Sequence, residues 1–527
     1  MTTAQASTYD EVPYESSPFP FTHPDAMAAV ATLFGMDPPA VERCRVLEIG
    51  CAGGGNLVPM ALGLPEGRFV GIDLSPRQID DGQALLDQLH LSNVELRAMD
   101  VLELDSTFGQ FDYIVCHGVY SWAPRAVQDK IMSICSRQLA PQGVAYISYN
   151  TYPGWHSRGM VRQMVRYRVD ASARPLEQVR QAREFLAFLV EHCRDPKSVY
   201  NFVLQEEAKI WEKGSDSYLL HEQLAEFNEP LYFHQFAGRL ADHELQFIAE
   251  AQLSDSPWLM ADELQKKLAA WCGDLVRYEQ HLDFLRERTF RRSLICHDRV
   301  GLDRSPGPDL IGKFLLAARA MPVSEAPEVE STKAEQFRTH DGISFSTNNP
   351  WLKAALVGLF ERWPRMFSFD ELLELARGKL ERSPAAELDP LSDAKLLKQP
   401  LLQCGRSGMV ELHVRRSPDF AGISDAPRAS PLARLQAEQG PFVTNLRHRQ
   451  MELREFDRQV LRLLDGRRDH GALLQSLADL PDAEAFGAER SEESASGGQS
   501  ETSPTSRLAE ALGESLRRLA GGGLLAG

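Results

Sequence analysis

The sequence predicts an α/β protein, with a parallel sheet flanked by helices in its N-terminal third, followed by a long helical region and small α+β units. Three observations carry that reading. Residues 45–150 alternate short apolar runs with amphipathic stretches, a glycine-rich turn follows the first run directly, and beyond residue 157 the apolar spacing becomes helical.

The strands are expected at 46–49, 69–72, 94–98, 113–116 and 144–149. Between the last two, Ile131, Ile134, Cys135 and Leu139 share one helical face, and Pro124 suits a first turn. From 157 to 320 the periodicity predicts a second, largely helical domain, with helices over 176–193, 219–226, 261–271 and 278–289. The stretch 322–333 is rich in Pro, Glu and Ser and reads as a linker. A small winged-helix-like α+β domain is expected over 335–420, with helices at 351–362 and 369–380 and an extended run at 409–415. A small helical unit follows over 430–482, including a helix at 446–464, and residues 484–506 lack core-forming residues and read as disordered.

With 527 residues, about 100 to 200 per domain implies three or four units. A 43% hydrophobic and 25% charged composition suits a folded, water-soluble chain. The formal charge of −17 opposes a nucleic-acid backbone, so no nucleic-acid partner is expected. Cys44, Cys51, Cys116, Cys135, Cys193, Cys272, Cys296 and Cys404 form no close pair, and the Cys296-His297 pair has no second pair at ligand spacing, so no metal is expected. The polar, acidic N-terminus is unlike a secretory signal and no apolar run is long enough to span a bilayer; the expectation is a cytoplasmic chain without membrane contact. A homodimer is left open.

The segment that carries chemistry is Val46-Leu-Glu-Ile-Gly-Cys-Ala-Gly-Gly-Gly55, a strand running into a glycine-rich turn ahead of Asn56. Such a turn lets a ligand approach the backbone, and the free N–H groups that follow attract an anion. Gly50, Ala52 and Gly55 also fit a degraded dinucleotide fingerprint, a weak pattern alone. Glu48 separates the readings: at the strand end it would repel a pyrophosphate but receive an ammonium. Asp73 and Leu74 close the next strand, where a carboxylate accepts ribose hydroxyls. Asp100 and Val101 follow the third strand, and His117-Gly118 the fourth.

In this order the elements resemble a class I S-adenosylmethionine-dependent methyltransferase with a Rossmann-like sheet over 45–156. The resemblance implies S-adenosyl-L-methionine as cofactor, bound by Glu48, Gly50, Cys51, Ala52, Gly54, Asn56, Asp73, Leu74, Asp100, Val101, His117 and Gly118. Ala52 stands where the family usually has its middle glycine. A closer likeness lies in Tyr9-Asp-Glu-Val-Pro-Tyr14, Tyr149-Asn-Thr-Tyr-Pro-Gly-Trp155, Asn228-Glu-Pro-Leu-Tyr-Phe-His234 and residues 284–297. These resemble bacterial methyltransferases that carry a methyltransferase regulatory domain, a group that includes rickettsial protein-lysine methyltransferases. That likeness implies N-methylation of a protein lysine.

Methyl transfer is an in-line displacement that needs alignment and a free lone pair on the acceptor. An aromatic, desolvated pocket favours a neutral amine and can hold its cation. Tyr14, His117, Tyr152 and Trp155 are the leading acceptor-site candidates, with Tyr9, Tyr120, Trp122, Tyr149 and His156 beside them, and each is alternatively a packing group. The 1–44 segment, aromatic and proline-rich over 9–24, is expected to act as a lid. The run 286–292, rich in arginine, reads as a solvated helix face or a contact for an acidic partner. A small-molecule methyltransferase and a non-catalytic S-adenosylmethionine sensor remain alternatives to a protein-modifying enzyme, while a transcription factor would need a basic recognition helix that the sequence lacks.

Overall fold

Apolar runs of four to six residues between turn-forming segments suit buried strands, and five of them form a parallel array in the computed structural model. The strands are β1 (Arg45–Ile49), β2 (Arg68–Asp73), β3 (Val94–Ala98), β4 (Phe111–Cys116) and β5 (Leu139–Asn150). The structure describes residues 10–14, 16–255, 260–340, 342–380, 390–416, 423–480 and 504–526. Tyr9 lies outside them, as does the stretch read as disordered up to 503; residues 504–506 open a helix, Pro504–Gly521.

The sheet has seven strands in the order β3-β2-β1-β4-β5-β7-β6, where β6 is Leu245–Glu250 and β7 is Phe290–His297. The first five run parallel; β7 pairs antiparallel with β5, and β6 antiparallel with β7. The order reverses between β1 and β4, so the crevice at their carboxyl ends is the ligand position of open α/β sheets. The segment read as largely helical therefore supplies two strands of the main sheet.

The helices are α1 (Pro24–Leu33), α2 (Leu57–Gly63), α3 (Pro76–Leu89), α4 (Arg125–Gln138), α5 (Trp155–Arg168), α6 (Pro175–Glu191), α7 (Val199–Lys213), α8 (Phe233–Ala241), α9 (Asp262–Cys272) and α10 (Leu275–Arg286). Ile131, Ile134, Cys135 and Leu139 are buried against β1, β4 and β5, and Pro124 caps α4 instead of sitting in its first turn. A separate core of Val161, Val165, Ala182, Leu186, Leu204 and Trp211 joins α5, α6 and α7. Met27, Ala28, Ala31 and Leu33 of α1 are fully buried, so this part of the 1–44 segment is core and not lid.

The arginine-rich run is no solvated helix face. Helix α10 ends at Arg286, and Arg291 lies in β7 with no exposed surface. Its guanidinium donates to Glu250 (2.7 Å), Asp283 (2.8 Å) and Glu279 (3.1 Å) and stacks 4.1 Å from the Phe233 ring. Arg288 adds pairs to Asp283 (3.3 Å) and Glu250 (3.6 Å). Burial pushes the Asp283 carboxyl up to about 6 against the pull of Arg291.

The chain divides into two units, residues 1–17 with 26–306, and residues 18–25 with 307–527. In the second, helices Pro350–Glu361 and Phe369–Leu380 form where their periodicity predicts, and Glu411–His413 is a strand paired with Leu315–Ala317. The supposed linker is held in place: the buried Lys353 ammonium donates to the carbonyls of Glu328 (2.6 Å), Ser331 (2.6 Å) and Lys333 (2.9 Å). The helix expected over 446–464 is instead a hairpin, Phe442–Thr444 with Gln450–Glu452, followed by a helix over Glu455–Leu463. His448 adopts a left-handed conformation at the turn, which an α-helix does not allow.

Removing one partner of a buried ionic cluster leaves unpaired charge in the interior, at a cost of about 3–5 kcal/mol. Arg291→Met is therefore expected to lower unfolding free energy by about that amount in urea titration. A loss below about 1 kcal/mol would show that the carboxylates are satisfied without it.

Candidate active site

The end of β1 turns sharply at Gly50, whose φ is +77° and where a Cβ would run into Val119. Gly50 and Cys51 both donate their N–H to the Ile72 carbonyl, at 2.9 and 3.1 Å, which ties the turn to the end of β2. Asp73 completes the tie. Its Oδ2 accepts the Ala52 N–H (2.9 Å) and its Oδ1 accepts the Ser75 N–H (3.0 Å). Ser75 caps α3 by accepting the Gln78 N–H, so one carboxylate positions both the glycine-rich turn and the next helix.

Glu48 is buried beside this turn. Its Oε1 accepts a hydrogen bond from Asn56 Nδ2 (2.7 Å), while Oε2 is buried with no protein partner. Burial pushes this carboxyl up to about 8, with Asp73 adding to the rise and Asn56 opposing it. A buried carboxyl with one unused oxygen is a receptor for a cation. Asp73 is likewise raised by burial, against its backbone donors. Glu48, Gly50, Cys51, Ala52, Gly54, Asn56 and Asp73 thus form one cradle, with Leu74 half-buried at its edge. The Met99 N–H donates to the Asp73 carbonyl (2.8 Å), bringing the end of β3 alongside, where Asp100 caps the turn Val101–Glu103 through the Leu102 N–H (3.0 Å).

The other wall follows β4. His117 is half-buried, its Nδ1 2.9 Å from the Tyr146 hydroxyl. Burial, and then Arg292, lower its pKa to about 3, so it is neutral and too weak a base to take a proton from an ammonium. Gly118 is exposed with φ +69°, and its N–H donates to Ser148 Oγ (2.9 Å). Ser121 Oγ accepts the Asn150 N–H (2.9 Å), and the Asn150 amide donates to Asn228 Oδ1 (2.9 Å).

The aromatic candidates separate. Tyr120 and Tyr149 are core residues packed on Phe236, Tyr149 stacked at 4.1 Å. Trp155 is also buried, edge-on to Trp122 at 5.8 Å and covered by the Arg158 guanidinium at 4.9 Å. It offers no open ring face. Tyr152 is half-buried, stacks on the exposed His156 at 4.2 Å and lies 5.1 Å from Tyr232. Tyr14 belongs to a strap formed by residues 10–14 and Ser16: its carbonyl accepts from Gln78 (3.0 Å) and its hydroxyl donates to Glu222 (3.0 Å). The Gly55 N–H, expected to face an anion, donates to Ser16 Oγ (2.7 Å).

Sequence reasoning missed Ser16, Asp10, Glu222, Ser148 and the Asn150–Asn228 pair. Ser75 had a legible signal, a serine just ahead of a helix-opening proline. Glu222 had none, since its partner Tyr14 lies 208 positions away.

Ala52 takes the left-handed conformation, φ 48°, that a glycine adopts without strain. Ala52→Gly is expected to leave thermal stability and cofactor affinity unchanged or better, whereas the β-branched Ala52→Val should lose about 1–3 kcal/mol. Thermal melts and S-adenosylmethionine titration check both; a fully tolerated valine would show that the turn relaxes.

Three family models match the chain: a methyltransferase domain over 40–218, the predicted methyltransferase regulatory domain over 215–297, and the PKMT C-terminal winged helix domain over 425–524. The winged-helix match falls on the stretch read above as a small helical unit, and not on 335–420. Uncharacterized protein RP789 of Rickettsia prowazekii is 36% identical over 487 residues, covering 90% of this chain and 86% of that one. Uncharacterized protein RP028 of the same organism is 41% identical over 229 residues, 44% of this chain and 92% of that one. The structure of PKMT2 from Rickettsia typhi in complex with AdoHcy superposes with a TM-score of 0.83 at 28% identity, covering 98% of this chain and 100% of that one. The chain belongs to the class I S-adenosylmethionine-dependent methyltransferases of the rickettsial PKMT type.

Proposed function

We propose that this methyltransferase acts on the lysine side-chain amine of a protein. The observation that carries the reading is the likeness to PKMT2 over 98% of the chain, including the units beyond the catalytic sheet. Added units of this size suit recognition of a large acceptor, and the −17 net charge attracts a lysine-bearing one.

The cradle fits S-adenosylmethionine by its donor set. The unpartnered Glu48 Oε2 would take the methionine ammonium, and the turn from Gly50 to Asn56, with Gly54 in its left-handed bend, would approach the methionyl group. The Asp73 carboxylate accepts backbone N–H groups, Ala52 on Oδ2 and Ser75 on Oδ1 among them, and would turn its remaining acceptor capacity to the ribose hydroxyls. Asp100 would accept the adenine amine beside Val101, with Leu74 at the ring edge. Bound there, the cofactor supplies an electrophilic methyl on a sulfonium. The chain's own task is to position and to exclude water. His117 and Gly118 wall the cleft, and Tyr152 with His156 and Tyr232 offers aromatic faces to an incoming ammonium at its mouth. A lysine amine with a reference pKa of about 10.4 has to shed its proton to react, which desolvation favours and neutral His117 does not impede.

Purified protein incubated with radiolabelled S-adenosylmethionine and host lysate should label discrete protein bands on lysine, and Asp73→Ala should abolish the label. Label confined to small molecules would overturn a protein acceptor.

The raised Glu48 carboxyl makes cofactor binding proton-linked. Below about 8 the free carboxyl holds a proton, while an ammonium partner favours the ionised form, so binding expels it. Affinity should rise from pH 6 toward 8, and calorimetry at pH 7 in buffers of different ionisation enthalpy should detect release of about one proton. Glu48→Gln should remove the release, and its persistence would place the linkage on another group.

A further inference from the structure

The strap is tied on two sides. Toward the cradle, Ser75 Oγ donates to Asp10 Oδ1 (2.5 Å), Arg77 to the Asp10 carbonyl, Gln78 to the Tyr14 carbonyl (3.0 Å) and Gly55 N–H to Ser16 Oγ (2.7 Å). A Cβ on Gly55 would lie 2.5 Å from Ser16 Oγ, so the strap rests directly on the glycine-rich turn. It spans from that turn to the start of α3, the two sides of the cradle.

On its far side the strap meets the segment Asp216–Tyr218 and the π-helical turn Leu219–Gln223. Ser217 Oγ donates to the Pro13 carbonyl (2.9 Å), His221 Nε2 to the Val12 carbonyl (2.6 Å), and Tyr14 donates its hydroxyl to Glu222 (3.0 Å). Single π turns inside helical segments recur at functional sites. Here the turn brings the neighbouring His221 and Glu222 to bear on the same short stretch of chain. Arg158 faces Glu222 and Tyr218 and pairs with Glu207 (3.3 Å), which fixes the turn to α5. The match to the regulatory domain begins at residue 215, so the latch belongs to the regulatory segment, while the strap precedes the methyltransferase-domain match, which begins at residue 40.

We propose that Glu222 is a positioning residue that acts through Tyr14, latching the N-terminal strap over the cofactor cradle and so setting how fast S-adenosylmethionine and its product leave. This rests on the cofactor site proposed above and assigns the opening turn of the regulatory segment its control over that site. A partner that draws Glu222 from Tyr14 would speed cofactor exchange without touching the cradle.

The test is release of S-adenosylhomocysteine from the full chain, followed by stopped-flow displacement, with hydrogen exchange of residues 12–16 as a second readout. Tyr14→Phe and Glu222→Leu should each speed release about tenfold and raise exchange in the strap, since each removes the hydrogen bond between Tyr14 and Glu222. Glu222→Gln keeps an acceptor for the Tyr14 hydroxyl and should stay within about twofold of the wild type. The double variant Tyr14→Phe with Glu222→Leu should be no faster than either single one, because both break the same bond. Wild-type release in both single variants, or additive effects in the double one, would overturn the latch. A wild type that binds no S-adenosylhomocysteine would instead overturn the cofactor site.

Discussion

One carboxylate, Asp73, sets the geometry on which the site depends. Strands β1 and β2 end side by side, and although the Gly50 and Cys51 N–H groups tie the first turn to the Ile72 carbonyl, the backbone at Ala52 and the start of α3 have still to be fixed to one another. Asp73 does so by accepting the Ala52 N–H from one and the Ser75 N–H from the other. That pairing holds Ala52 in a left-handed conformation that an alanine does not choose, and it starts α3 at the serine that caps it. The cost of burying the carboxylate is offset only in part by the same donors that give it its structural role, so burial still raises its pKa. In the proposed binding mode a ribose reaching this position would meet a group already oriented, and the acid at this strand end would serve fold and binding together.

Glu48 is the complementary case, a group whose environment is left incomplete. Asn56 satisfies one oxygen and the sheet buries the other without a donor. Alone, the carboxyl escapes this by holding a proton, and a cation in the cradle offers the alternative.

The catalytic sheet was legible because its signals are local. Apolar runs of four to six residues, a glycine turn and acids at successive strand ends all fall within short windows, and β1 to β5 form close to where those windows put them. The two added strands were hidden because β7, Phe-Arg-Arg-Ser-Leu-Ile-Cys-His, carries arginines that read as solvated. Arg291 is buried only because Glu250, Asp283 and Glu279 arrive from β6 and α10, a coincidence no local period reveals. The same holds for Lys353, whose three carbonyl partners turn a proline- and acid-rich stretch from a linker into a fixed loop. Charged residues misled the reading where distant ionic or carbonyl partners let them be buried.

The aromatic candidates show the converse limit. Tyr120, Tyr149 and Trp155 occur in the expected motifs, yet they are buried as packing groups, which is what large rings most often are. Those left accessible, Tyr152 with His156 and Tyr232, come from the end of β5 and from the loop before α8. The isolated bridge between Thr151 and Leu231, with the Asn150–Asn228 hydrogen bond, brings these two segments together. This aromatic group therefore draws on residues from both the methyltransferase-domain and the regulatory matches, and the strap bonds to residues of both. In the proposed reading, a shift of the regulatory segment would alter access for cofactor and acceptor alike, because that segment bonds to the strap through Glu222 and packs Tyr232 against Tyr152.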